Sequence, residues 1–443
     1  MRYSISALAC ASVLALSDAV LAQDLRVNRF NDEFDGICDS HCSLRDAVTA
    51  SNLLGGDNRI LLPVGTYTLA LPPDYGGEGE VYDEDQNLNG DLDVLAGSLT
   101  LVGTDSRDSI IDGGAVDRLF EVEAGAALTV LNLTLRNGQT SEDGGAIENR
   151  GHLTVRHSLL TQNRCRYPWG GEQSGGAIFS SGQLEVYASQ FESNYVLTGD
   201  SGGAFGGAIF SSGTLKVRDT LFVDNGVSTD DVTGIGGALF NTGAASVIRA
   251  SFVNNRGDGQ GAAIRNDGDG SLTLANVTVA KTPFAGLESY AAIANGSDYP
   301  MYPGTPSMTL IHATVADNLS VGVHNQGNLT VRNSLLIDNR EGNCVNAGTL
   351  MSRGLLLGAD ASNCPATVYA DDRSIYGKVL YALADNSAGL PIFSLPPASP
   401  ALDAGVGACP TVDQRGYPRP QDGDGDGLAV CDLGAYERGP KVR

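Results

Sequence analysis

The sequence predicts an all-β protein, a parallel β-helix in which about ten short coils stack into a solenoid. Three observations predict it. First, Gly144-Gly145-Ala146-Ile147 recurs at 175–178, 206–209 and 236–239, then more loosely around Ile264, Ile293 and Val323, so one aliphatic residue returns every 25 to 31 positions. Second, the offsets inside each repeat hold. Leu153/Val155, Leu184/Val186, Leu215/Val217 and Leu329/Val331 are followed by Leu160/Asn163, Phe191/Asn194, Phe222/Asn225 and Leu336/Asn339, with Phe252/Asn255 in the same series. Third, each repeat is three short alternating segments cut by Gly, Asn or Ser, too short and Gly-rich for helices. One such unit cannot bury its own apolar face, so it must stack on its neighbours.

In-register stacking at roughly 4.8 Å makes internal columns of Ile, Leu, Val and Phe, with Gly at corners that need positive φ. Asn tolerates the left-handed conformation, and its amide can both donate to and accept from adjacent coils. A second polar column, Asn149, Ser180, Ser211, Asn241, Asn266, Asn295 and Asn325, fits the same role. Both read as structural ladders, because an active site needs one constellation and not a copy in every coil.

The elements follow in chain order. Residues 1–22 predict an export signal, with Met1-Arg2, an apolar run from Ile5 to Leu16, and Val20-Leu21-Ala22 before Gln23. Residues 23–58 predict an N-terminal cap, since the first coil otherwise exposes an unpaired edge. Within it, 42–52 predicts a short amphipathic helix with Ser43 and Asp46 as a capping box, Gly55-Gly56 as its end, and Leu44, Ala47 and Val48 on the first coil. Arg45 is assigned to a salt bridge of that cap. Residues 59–395 form the β-helix and 396–443 a disulfide-closed C-terminal cap. Neighbouring cysteines suggest the disulfides Cys38–Cys42, Cys344–Cys364 and Cys409–Cys431, which suit an oxidising compartment. Cys165 is left as a free thiol or an intermolecular crosslink. No later segment approaches the ~18 apolar residues of a membrane span.

A net charge of −24 and a pI near 4.4 argue against a nucleic-acid partner, because phosphate contacts need a basic face. The same charge counts against a polyanionic substrate unless a divalent cation screens the encounter.

The run Cys42-Ser43-Leu44-Arg45-Asp46-Ala47 resembles the Cys-Ser-Leu-Arg-Glu-Ala region of many secreted bacterial β-helix proteins, with Asp46 in place of Glu. The stretch from Ser399-Pro400-Ala401-Leu402-Asp403-Ala404-Gly405 through Asp413-Gln414-Arg415-Gly416 to Leu433-Gly434-Ala435-Tyr436-Glu437 resembles the choice-of-anchor Q domain. The Gly-Gly-Ala-Ile and Phe-x-x-Asn repeats are also similar to those of polymorphic outer-membrane proteins, which are autotransported adhesins. The first two resemblances imply a right-handed β-helix on or outside the cell surface and no settled activity.

Candidate sites lie mainly in insertions. Loops 164–174, 195–205 and 226–235 follow the Asn column in phase, so they should emerge on one side as a single interaction face. Tyr167, Trp169 and Tyr195 beside Asp200, Asp230 and Asp231 suit an extracellular glycan or a host or cell-surface protein. Alternatively, such aromatics pack each loop onto its coil. Adhesin or glycan binding is one function class. A polysaccharide lyase or glycoside hydrolase on the same scaffold is the other, and acidic residues gathered on one patch of adjacent coils would favour it. Asp422, Asp424 and Asp426 alternate as in a Ca²⁺ loop, with Asp432 as a further ligand, and Asp85, Asn87 and Asn89 repeat the spacing with weaker donors, each predicting a structural Ca²⁺. Gly199-Asp200-Ser201-Gly202-Gly203 is read as a coincidence of a Gly/Ser-rich loop, and Arg256-Gly257-Asp258 as a polar corner or an exposed binding tripeptide.

Overall fold

The structure, a computed structural model, describes residues 22–439 apart from 76–80, 83, 168–170, 200–201, 230–233, 284–290, 297–301, 359–361, 367, 371–374 and 387–388. Among the described residues one helix, α1 (Leu44–Leu54), accompanies strands wound as a right-handed parallel β-helix. Each central coil gives a strand to three faces. In one coil Ile147–Asn149 lies on face C, His152–Arg156 on face A and Leu159–Thr161 on face B. Face C is a ten-stranded parallel sheet. Faces A and B join in one 22-stranded sheet, because Asn328–Asn339 runs through the corner and pairs with strands of both.

The repeated residues fall in register. Ile147, Ile178, Ile209, Leu239, Ile264, Ile293 and Val323 are successive partners, all buried in one continuous core. Phe191, Phe222 and Phe252 stack with ring centroids 5.0 and 4.6 Å apart. The first polar column is a ladder, and the second is one from Asn149 to Ser180 and from Asn241 to Asn325, interrupted at Ser211. Nδ2 of Asn163, Asn194 and Asn225 donates to the Oδ1 of the next asparagine at 3.0, 2.9 and 3.0 Å, and a second donation reaches Leu135, Leu160 and Phe191 carbonyls respectively. The ladder asparagines do not themselves take the left-handed conformation. The residue before each does: Gln162, Ser193, Asp224 and Asn254 have φ of 58, 55, 56 and 56°. The asparagine is there for its amide, and its predecessor makes the corner.

The N-terminal end is closed as expected, whereas the expected C-terminal cap, 396–443, lies along face B instead of over the last coil. Ser43 and Asp46 form the capping box of α1. Arg45 is fully buried, 2.8 Å from Asp32, and its remaining donors reach the Asn89, Gly90 and Asp91 carbonyls. The three expected disulfides are present. Cys165 is buried under the loops, where burial pushes its thiol far up, so the crosslink alternative falls away.

The C-terminal region folds back along the solenoid. Ile375, Val379, Phe393, Leu402 and Leu433 pack on the outward residues of face B, Ala280, Ala316, Leu335 and Ile337. Polar contacts fix the docking: Gln414 Nε2 donates to Ser251 Oγ at 2.7 Å, and Thr278 Oγ1 donates to Gln414 Oε1 at 2.6 Å. Arg419 lies buried between Glu437 at 3.2 Å and His312 Nδ1 at 2.6 Å.

Candidate functional site

The insertions stack as expected. Arg164–Tyr167, Tyr195–Thr198 and Gly226–Thr229 pair in one short sheet with Gln139–Thr140, and Gln173–Ser174, Ala204–Phe205 and Gly234–Ile235 in another. They lie over the outer side of face C rather than standing away from it. Phe205 and Ile235 pack there on Phe210 and Phe240. Tyr195 is half-buried beneath Arg256, whose guanidinium sits 5.3 Å from the ring centroid, and Tyr167 is half-buried. Trp169, Asp200, Asp230 and Asp231 lie outside the described residues. The Arg256-Gly257-Asp258 tripeptide is not presented as an exposed hook, because Asp258 accepts the Thr229 N–H at 3.3 Å.

The outward column of face C changes chemistry along the solenoid. Asp93, Glu121 and Glu148 are successive partners, followed by Phe179, Phe210, Phe240 and Arg265. Three acids in adjacent coils repel at the ~4.8 Å strand spacing unless cations intervene. Arg118, almost fully buried, supplies one: 2.7 Å from Asp91, 2.6 Å from Glu148 and 3.5 Å from Glu121. Arg150 supplies another, 2.7 Å from Glu148 and 2.8 Å from Glu123. Carboxylate oxygens of Asp91, Asp93 and Glu121 lie within 4.8 Å of one another.

At the edge of this cluster Arg118 also donates to the Asp143 carbonyl at 3.0 Å and approaches Glu142 at 3.4 Å. The Asp143 carboxylate accepts the Ser174 N–H at 2.6 Å. Burial pushes the Asp143 carboxyl up to about 6; the Ser174 N–H and Arg118 pull against that, while the Glu142 and Glu172 charges add to it. Glu142 and Glu172 are both exposed. None of these acids was singled out from sequence. A signal existed, since Leu92-Asp93-Val94, Phe120-Glu121-Val122 and Ile147-Glu148-Asn149 each put an acid between two inward residues, and alternation then points it outward.

A second feature was not read at all. On face B a groove of about 930 Å³ runs across successive coils. Its floor is one outward column, Ile110, Thr134, Leu159, Gln190 and Leu221, in register coil by coil. One wall is the left-handed corner residues Asn132, His157, Ala188 and Asp219, and Leu390 and Arg415 of the C-terminal region complete the lining. The groove is therefore the part of face B that the C-terminal region leaves uncovered.

The acidic turn of the C-terminal region is only partly the expected set. Asp422 and Asp424 gather with Asp403, their oxygens within 4.8 Å of one another. Asp426 turns to the Leu428 N–H. Asp432 points inward to the N–H groups of Asp403 and Arg438 at 2.9 and 2.6 Å, where burial pushes its carboxyl up to about 7. The Asp85, Asn87 and Asn89 spacing does not converge: Asp85 is exposed, and the buried Asn87 amide is spent on the Asp93 N–H and carbonyl.

No protein-family model matches the chain and no curated protein does. Among solved structures it is similar to pectate lyase Pel9A, at 13% identity over 93% of this chain and 96% of that one, with a TM-score of 0.42. It is also similar to the catalytic unit of a thermostable GH87 α-1,3-glucanase from Streptomyces thermodiastaticus strain HF3-3, at 15% identity over 74% of this chain and 66% of that one, with a TM-score of 0.30.

Proposed function

We propose that the protein is an exported β-helix that binds glycan chains, and that the glycan lies in the open groove of face B rather than on the loop face. The observation that carries this reading is the groove itself, an elongated trough of about 930 Å³ whose floor crosses five coils. A site of several hundred Å³ with mixed polar and apolar walls suits an oligosaccharide segment. Export, the resemblance to secreted β-helix proteins with a choice-of-anchor Q region, and a partner outside the cell belong to the same proposal.

Glycoside hydrolysis is the second reading, favoured by Asp143. A carboxyl that stays protonated up to about pH 6 is suited to general-acid work in mildly acidic conditions, and Glu142 or Glu172 would act as the partner carboxylate. The exported chain is incubated with immobilised neutral and acidic polysaccharides while retention and polymer length are followed. Retention without shortening, lost in Leu159→Arg, is the expected result. Shortening that Asp143→Asn abolishes would replace binding by hydrolysis. No retention and no shortening on any polysaccharide would end the glycan reading.

Asp403, Asp422 and Asp424 fit a structural Ca²⁺, because hard carboxylate oxygens gather there and each carboxylate keeps lone pairs beyond its backbone hydrogen bonds. The ion would tie the acidic turn to Asp403. Chelation should lower the melting temperature of the wild type and not of Asp424→Asn; equal behaviour of the two would remove calcium from the proposal.

A further inference from the structure

We infer that the groove takes an uncharged, extended glycan with a two-sugar repeat, read by every second coil. This rests on the glycan reading above and names its substrate class. Along the floor, Ile110, Thr134, Leu159, Gln190 and Leu221 succeed one another in register, so apolar and polar side chains alternate from coil to coil. Like residues therefore recur at about 9.6 Å, twice the strand spacing. In a glycan whose equatorial linkages keep the chain straight, each sugar is turned over relative to the last. The same ring face then returns every two sugars, a distance close to two coils. The C–H face of one sugar rests on Leu159, while Gln190, whose amide Glu192 orients at 3.0 Å, reaches the rim hydroxyls of the next, whose inversion alternates which rim hydroxyls lie on that side.

The spacing also decides against a peptide. An extended polypeptide returns a side chain to one face at roughly 6.6 Å, out of step with the floor within a single repeat. Charge argues for a neutral polymer. Asp105 and Arg107 both line the groove with opposite charge, Arg136 is 2.7 Å from Asp112, Asp219 is paired with Arg249, and Arg415 is 2.7 Å from Asp413. A charged polymer thus meets balanced charges in the groove and a chain of −24 around it. The column is already a docking surface: one coil beyond Leu221, Ser251 donates to the Pro391 carbonyl at 2.7 Å and accepts from Gln414.

The test is titration calorimetry of the full exported chain with two series of uncharged oligosaccharides, from two to six sugars long, one β-1,4-linked and extended, the other α-1,4-linked and helical. The extended series should bind at least tenfold more tightly, and completing each sugar pair should raise affinity more than starting one. The double exchange Leu159→Gln with Gln190→Leu keeps the composition and breaks the alternation, and it should cost at least tenfold with the melting temperature retained. Equal binding of both series, smooth gain per sugar, or an indifferent double exchange overturns the two-sugar reading and leaves glycan binding standing. Binding of neither series, with binding of an extended peptide instead, overturns both.

Discussion

Asn225 serves three coils at once: its amide donates to Phe191 and Asn255, and its oxygen accepts from the side chain and the N–H of Asn194. Replacing it by Ala strands those groups in a fully buried corner, so Asn225→Ala should cost about 1–3 kcal/mol, read as a lowered urea midpoint with unchanged slope. Asp143 makes the opposite point. Its folded-state carboxyl is raised to about 6, so its contribution is complete below the unfolded value near 3.8 and is lost as pH rises through 6. That two-unit rise corresponds to stability on the order of 3 kcal/mol lost between pH 4 and pH 7. Asp143→Asn keeps the acceptor for Ser174 and should lack this slope in denaturant titrations at the two pH values; an unchanged slope would show that Asp143 is not the group responsible. The ladder was legible because it repeats. Asp143 was not, because its environment depends on where the loop carrying Glu172 and Ser174 lands.

At the scale of elements, three strands per coil, the capping box of α1 and the disulfides could all be read from spacing. Inward columns are dictated by the demand for burial, which one sequence displays directly. Outward columns depend on what covers them. Phe179, Phe210 and Phe240 stack at 5.2 and 5.3 Å on the outside of face C because Phe205, Ile235 and Tyr302 lie against them, and nothing in the repeat announces that partner. The inner stack should be the less forgiving site. Phe222→Ala leaves a void between Phe191 and Phe252 and should cost about 3–5 kcal/mol. A loss below 1 kcal/mol in the same urea assay would mean that neighbouring coils collapse into the gap.

For the whole molecule, the decisive event is the return of the C-terminal region along face B, which buries the later coils and leaves the earlier ones open as a groove. Two titrating groups in its docking act in opposite directions. Burial and the Arg419 charge hold His312 down at about 3, so its contribution is present above pH 6.5 and lost as pH falls. Asp432, raised to about 7, contributes below pH 3.8 and loses that contribution as pH rises through 7. Asp432→Asn removes one slope that opposes the histidine, while Glu437, also raised by burial, keeps its own, so the melting temperature should drop more steeply than in the wild type between pH 7 and pH 4; parallel curves would count against this docking account. The sequence marked the C-terminal region as a cap, but its length of contact with the solenoid, and hence the groove, could not be read without the fold. Hydrogen exchange of the full chain with and without a bound extended glycan tests the central claim most directly. Protection centred on 105–107, 157–162 and 188–190 is the predicted result, whereas protection confined to the loop strands Arg164–Tyr167 and Tyr195–Thr198 would contradict it.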